Sequence, residues 1–159
     1  MDSGSPLWLG RVWGSSGSDV FTIGEVGTIL HYDGNAWSPM KSGAYGALNA
    51  VWGSSGSDVF VVGGDGKILH YDGNAWSSMN SGTTEVLDGV WGSSSSDVFA
   101  SGMNGTILHY DGNAWSPMPS DTTQQLFYAV WGSSGSDVFI TSEGSTILHY
   151  DGSAWLPGL

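Results

Sequence analysis

Val12 to Met40 reads VWGSSGSDVFTIGEVGTILHYDGNAWSPM, and this block of 29 residues returns three more times in the chain. Val51 to Met79, VWGSSGSDVFVVGGDGKILHYDGNAWSSM, is identical to it at 23 of 29 positions, and further copies begin at Val90 and Val130. The first Trp of the block falls at 13, 52, 91 and 131, so the spacings are 39, 39 and 40. A period near 40 points to units that stack or close radially, none of which buries its own hydrophobic face alone.

Within each unit four short runs of β-forming residues alternate with turn residues. In the second copy the runs are Leu48 to Trp52, Asp58 to Val62, Lys67 to Tyr71 and Ala75 to Met79. Val, Ile, Phe, Tyr and Trp fill them, while Gly, Asp, Asn and Ser fill the gaps, as strands and tight turns require. No stretch carries an apolar period of 3.6, which sets helical repeats aside. Val59 to Val62 is apolar at every position instead of alternating, so that strand is covered on both faces. Four-stranded sheets covered on both faces by copies of themselves describe the blades of a β-propeller. The expected fold is therefore all-β, one propeller unit over residues 1–159, with blades near 7–40, 48–79, 87–118 and 126–159.

HYDGNAW, at His31 to Trp37 and its copies, resembles the Asp box of sialidase-like propellers. That motif sets an Asp, a Gly and a Trp at fixed spacing in the turn between the third and fourth strands. Asp33, Gly34 and Trp37 fit it, whereas His31 stands where the motif has Ser or Thr. The resemblance implies that Asp33, Asp72, Asp111 and Asp151 are structural. It implies sialidase chemistry only where several arginines clamp a substrate carboxylate. Arg11 is the single Arg here, and one guanidinium fork does not make that clamp. WD40 repeats share the period, but neither a Gly-His nor a Trp-Asp dipeptide occurs.

Composition narrows the partners. The chain has 26 Gly and only 11% charged residues, yet 9 Trp, 6 Tyr and 5 Phe supply apolar surface enough for a core. Three basic residues against 15 acidic ones leave a net charge of −12, which argues against phosphate backbones and anionic membranes. Eight of the acids are the repeated turn residues Asp19, Asp58, Asp97, Asp137, Asp33, Asp72, Asp111 and Asp151. No Cys is present, so disulfides and thiolate chemistry are absent. MDSGSPLWLG carries neither the basic start nor the apolar stretch of a secretion signal.

Every candidate chemical group recurs once per unit, whereas active sites are singular. His31, His70, His109 and His149 invite a metal ring, but they lie mid-strand, too far apart to share an ion, and are read as rings bonded to a nearby Ser or Asp. Asp19 and its copies in GSSGSD provide too few oxygens for Ca²⁺ and are read as turn residues. Trp37, Trp76, Trp115 and Trp155 are expected to be buried between blades. Trp8 has no aromatic counterpart in the other units and is placed over a blade face or a chain junction. No cofactor, metal or catalytic residue is expected.

The copies differ mainly in two places. The turns between second and third strands read GEVG, GGDG, GMNG and SEGS, and the connections to the next unit vary as well. In a propeller these lie on one face, which is how a scaffold presents binding loops. Glu25, Tyr45, Asp65, Asn104 and Glu143 mark that face. Two functions fit: a non-catalytic protein-interaction scaffold, favoured by loops that differ, and a multivalent lectin with one shallow site per blade, favoured by repetition. Four blades can close alone by turning about 90° each, or two chains can form an eight-bladed ring at about 45° each. The homodimer is the expected closure.

Overall fold

Apolar strand runs punctuated by Gly, Ser and Asp turns give sixteen strands in the computed structural model, which describes residues 4–120 and 125–158. They form four antiparallel four-stranded sheets, each a meander in chain order. Blade 1 holds β1 (Leu9–Ser16), β2 (Asp19–Gly24), β3 (Ile29–Tyr32) and β4 (Trp37–Pro39). Blade 2 holds β5 (Leu48–Ser55), β6 (Asp58–Gly63), β7 (Ile68–Tyr71) and β8 (Trp76–Met79). Blade 3 holds β9 (Leu87–Ser94), β10 (Asp97–Gly102), β11 (Ile107–Tyr110) and β12 (Trp115–Pro117). Blade 4 holds β13 (Phe127–Ser134), β14 (Asp137–Ser142), β15 (Ile147–Tyr150) and β16 (Trp155–Pro157). The first strands of successive blades lie against one another, so the sheets fan out from a shared inner edge.

The first strand of each blade runs further than its apolar run suggests. It continues past Trp13 to Ser16, which pairs with Asp19 and leaves Gly17-Ser18 as a two-residue turn. A register shift between Gly14 and Ser16 lets the strand do this. Such a bulge re-aims the extra side chain, here the Ser15 hydroxyl. The next turn is tight as well. Thr28 N–H donates to Glu25 O at 3.0 Å, and both central residues, Val26 and Gly27, have positive φ. That is the geometry of a hairpin turn whose twist matches its strands. Asp65-Gly66 and Asn104-Gly105 repeat it with residues that tolerate positive φ, whereas β-branched Val26 at φ 54° does not.

The core lies between blades, not within them. Phe60, Val62 and Ile68 of blade 2 cluster with Leu87, Val98 and Trp115 of blade 3. Ile23 and Ile29 of blade 1 meet Leu48, Val61 and Leu69 of blade 2, and Phe99 and Ile107 of blade 3 meet Phe127, Ile140 and Trp155 of blade 4. A fully buried Phe or Ile contributes roughly 1.5–3 kcal/mol, so each seam is a principal source of stability.

One expectation needs correction. Trp115 and Trp155 are buried, but Trp37 and Trp76 are half-buried. Trp37 sits in blade 1, on the side that none of the other three described blades covers. Trp76 packs edge-on against Phe21 and donates from Nε1 to Met40 Sδ at 3.5 Å, the same contacts that buried Trp115 makes with Phe60 and Met79, yet it keeps part of its ring exposed.

Candidate functional site

A Ser–Asp–His chain recurs in every blade. Asp58 takes a hydrogen bond from Ser54 Oγ at 2.5 Å on one oxygen and from His70 Nε2 at 2.7 Å on the other. Ser15–Asp19–His31, Ser93–Asp97–His109 and Ser133–Asp137–His149 are built the same way. The carboxylate ties the bulge of the first strand to the middle of the third, and the imidazole stacks on the Phe between them, at 4.5 Å for Phe60 and His70. Burial pushes the Asp19 carboxyl up, but hydrogen bonds from Ser15 and His31 outweigh it and hold it below its ordinary value. In Asp137 the bonds from Ser133 and His149 do the same. An ionised carboxylate only accepts, so the ring nitrogen facing it carries the proton. The order is hydroxyl–carboxylate–imidazole, with no contact between Ser and His.

The histidines thus find the Asp partner expected of them. Asp19 and its copies are more than turn residues, because each joins two strands across 12 positions of sequence. Among the described residues no group of three or more His, Asp or Glu side chains is arranged to hold a metal ion.

The Asp33-Gly34 turn shows how the second repeated Asp works. Asp33 Oδ1 accepts from Asn35 N–H and Ala36 N–H, both at 2.9 Å, while Gly34 takes φ 93°. Tyr32 Oη donates to Gly34 O at 2.8 Å and staples the turn to β3. Asp72, Asp111 and Asp151 repeat this bonding. The two N–H donors, above all that of Ala36, Ala75, Ala114 or Ala154, hold each carboxyl below its ordinary value. These carboxylates are exposed, so the turns are local clasps rather than buried anchors.

Glu25, Tyr45, Asp65, Asn104 and Glu143 are all exposed, and the segments carrying them adjoin. Gly27 N–H donates to Gly46 O at 2.6 Å, Gly66 N–H to Glu85 O at 2.9 Å, and Gly105 N–H to Gln125 O at 2.8 Å. The second-to-third turns of blades 1, 2 and 3 are therefore clamped to the connection leading into the next blade, and that of blade 4 bonds back to Leu126 O through Glu143 N–H at 3.0 Å. Both variable segments share one face. Two side chains tie a blade to the connection on its other side, the one leading into that blade: Asn104 Nδ2 donates to Glu85 Oε2 at 2.8 Å and Lys67 Nζ to Tyr45 O at 2.5 Å. The marker residues are spread along this face rather than gathered in one pocket, and of the connection to blade 4, residues 121–124 lie outside the described residues.

The inner edge holds a second polar group that comparison of turns alone passes over. Gly10, Asn49, Asp88 and Tyr128 occupy matching places on the four first strands and are four different residues, which is the signal that marks them. Asn49 Nδ2 donates to Asp88 Oδ1 and to Leu87 O, both at 3.0 Å, bridging blades 2 and 3. Burial raises the Asp88 carboxyl above its ordinary value, against the pull of Arg11 and Asn49. Arg11 lines small cavities of about 100 Å³ with Trp8, Asn49 and Asp88, and about 230 Å³ with Asp88 and Tyr128. Trp8 lies over Gly10 at this edge, where a Cβ would come 2.5 Å from its ring.

No protein-family profile and no curated protein matches the chain. Solved structures do. YCF48 bound to D1 peptide superposes on 97% of this chain with a TM-score of 0.73 at 17% identity. YCF48 from Cyanidioschyzon merolae covers 99% with a TM-score of 0.73 at 12% identity. AFV00434, an ancestral GH74 enzyme, covers 97% with a TM-score of 0.78 at 14% identity. The four blades span 54% and 61% of the two YCF48 chains and 24% of the GH74 enzyme. The chain has the fold of a propeller segment, about half the length of the YCF48 proteins it resembles.

Proposed function

We propose that this chain is a non-catalytic binding scaffold, four blades of an eight-bladed propeller, which holds a protein or peptide on the face of its variable loops. The observation that carries this reading is the clamp between second-to-third turns and inter-blade connections. It makes a rigid platform of the very segments in which the copies differ, and rigid platforms bearing varied loops are how scaffolds recognise partners. Glu25, Asp65, Glu85 and Glu143 lie in these segments and neutralise no repeated structural partner, so the ligand class is a neutral or basic polypeptide segment. A peptide-bound YCF48 among the similar folds supports the same class of ligand. The Asp33 clasp, with two backbone N–H donors and a Trp three residues beyond Gly34, supports reading the blades as Asp-box repeats.

Selection of a displayed random-peptide library on the immobilised protein tests the proposal. Enriched basic peptides should lose binding on Tyr45→Ala or Glu143→Gln and keep it on Asn74→Ala, which lies in the opposite, repeated turn. Binding indifferent to the variable face, or binding of glycans in place of peptides on an array, overturns it. Turnover of a glycoside abolished by one substitution overturns the non-catalytic part.

A further inference from the structure

We infer that the outward side of blade 4 is a docking surface for blade 1 of a second copy of this chain, and that two copies close one ring. Three such seams are already made inside the molecule. At each, the first-strand Trp of one blade lies on a Gly of the next: a Cβ on Gly53, Gly92 or Gly132 would meet the ring of Trp13, Trp52 or Trp91 at 2.6 Å. The Phe of the second strand then meets a Tyr and a Trp from the following blade. Phe21 lies 5.9 Å from Tyr71 and 6.4 Å from Trp76, and Phe60 lies 5.7 Å from Tyr110 and 6.2 Å from Trp115. Phe99 repeats the pattern with Tyr150 and Trp155.

Blade 4 presents the donor half of this seam with nothing on it. Trp131 is 60% exposed, and Ile147 is 47% exposed where Ile29, Ile68 and Ile107 are at most 2%. Among the described residues, the ring contacts of Phe139 are both within its own blade, to Trp131 and His149. A cavity of about 570 Å³ opens over Phe139, Ile147, His149 and Leu156. Blade 1 presents the matching half. No Trp approaches Gly14, Val12 is 67% exposed, and Tyr32 and Trp37 face each other at 5.4 Å with no Phe between the blades to receive them. Even the acid follows suit. Gly56 and Gly135 back the carboxylates of Asp19 and Asp97, while Gly17 meets nothing within 4 Å and the Asp137 side chain is 40% exposed.

The two open faces are therefore the two halves of one interface that the chain builds three times. A copy placed on blade 4 as blade 4 sits on blade 3 brings its Gly14 under Trp131, its Tyr32 and Trp37 into the cavity over Phe139, and its Gly17 against Asp137. Because each copy offers both halves, two copies satisfy both seams and close with a two-fold axis. The same faces would join indefinitely if the turn per blade did not close.

Sedimentation equilibrium of the protein at micromolar concentration tests this. The expected particle has twice the 16.6 kDa chain mass. Ile147→Glu, on a side chain already exposed in the single chain, should leave the β-sheet circular dichroism unchanged and return the particle to one chain. A wild-type particle of single-chain mass overturns the docking, and a ladder of larger masses overturns the closed pair. An Ile147→Glu protein that keeps the doubled mass shows that the copies meet elsewhere and overturns it too.

Discussion

The seam between blades 2 and 3 and the outward side of blade 4 are built from the same residues with different fates. Phe60 is fully buried and Ile68 nearly so, while their counterparts Phe139 and Ile147 are half-buried and 47% exposed. His70 and Asp58 are 25% and 17% exposed as side chains, but His149 and Asp137 are 35% and 40%. The Phe, Ile, His and Asp of this comparison are the same residues in both regions, although Thr141 and Leu156 replace Val62 and Ser77 nearby. What differs is the neighbour, so burial here is a property of position in the arc, and the stability of a blade is largely the stability of its interfaces.

The comparison breaks most sharply at the phenylalanines. Phe60→Ala should cost about 3–5 kcal/mol, the loss typical of a large buried aromatic, measured as a fall in the urea midpoint with an unchanged slope. Phe139→Ala in the unpaired chain should cost far less, because one side of its ring already faces solvent. Equal losses would mean that the blade 4 face is covered in the single chain, and that seam and open face do not differ.

The Asp–His links sharpen the same contrast at smaller scale. Asp58→Ala removes the acceptor of both Ser54 and His70 in a pair that blade 3 partly encloses, and should cost about 1–3 kcal/mol. Asp137→Ala should cost less in the single chain, since water reaches the donors it abandons. Association of two copies should widen the effect at Asp137 and leave that at Asp58 unchanged, which urea titrations at two protein concentrations would read.

Much of this architecture is legible in the chain and some is not, for definable reasons. The spacing of Trp13, Trp52, Trp91 and Trp131 and the regular offsets of Asp-Gly mark four units of four strands, because turn chemistry is local. The partner of His31 is legible only as a class, since Asp19 reaches it through the register of two strands and the bulge at Ser15. The seating of Trp13 on Gly53 is a contact between copies, to which periodicity is blind. The inner-edge residues Gly10, Asn49, Asp88 and Tyr128 differ among the copies as clearly as the loops do. They escape notice because they lie inside strands, where variation reads as tolerated packing.

Turns offer a smaller test, between Val26 and Asn104 at the same place in blades 1 and 3. Both have φ 54°, a left-handed conformation that costs a β-branched residue roughly 1–2 kcal/mol and Asn much less. Val26 is also 65% exposed, so it gains little from packing. Val26→Asn should raise stability by about 1 kcal/mol, and Asn104→Val should lower it by a similar amount, in part through loss of the bond to Glu85. Differential scanning calorimetry would show midpoints moving in opposite directions. A fall on Val26→Asn would mean that the Val side chain makes a contact worth more than its strain.

The smallest effect is expected at Asp72, and its sign is best read against Asp88. The Asp72 carboxyl lies below its ordinary value because Ala75 N–H and Asn74 N–H bond its charged form. A folded-state value below the unfolded one contributes stability that is present above about pH 4 and lost as pH falls through the folded value. Asp88 works the other way. Burial raises its carboxyl, so its charge opposes folding at neutral pH and that opposition is relieved on acidification. Asp72→Ala should therefore lower the neutral-pH midpoint slightly and flatten the acid limb, since water can serve the exposed donors left behind. Asp88→Asn should raise the neutral-pH midpoint, because Asn keeps an acceptor for Asn49 and sheds the buried charge, and should steepen the acid limb. Urea midpoints from pH 7 to pH 3 would separate the two. A limb unchanged by Asp72→Ala would mean that the clasp forms equally in the unfolded chain and contributes to turn geometry without contributing to stability.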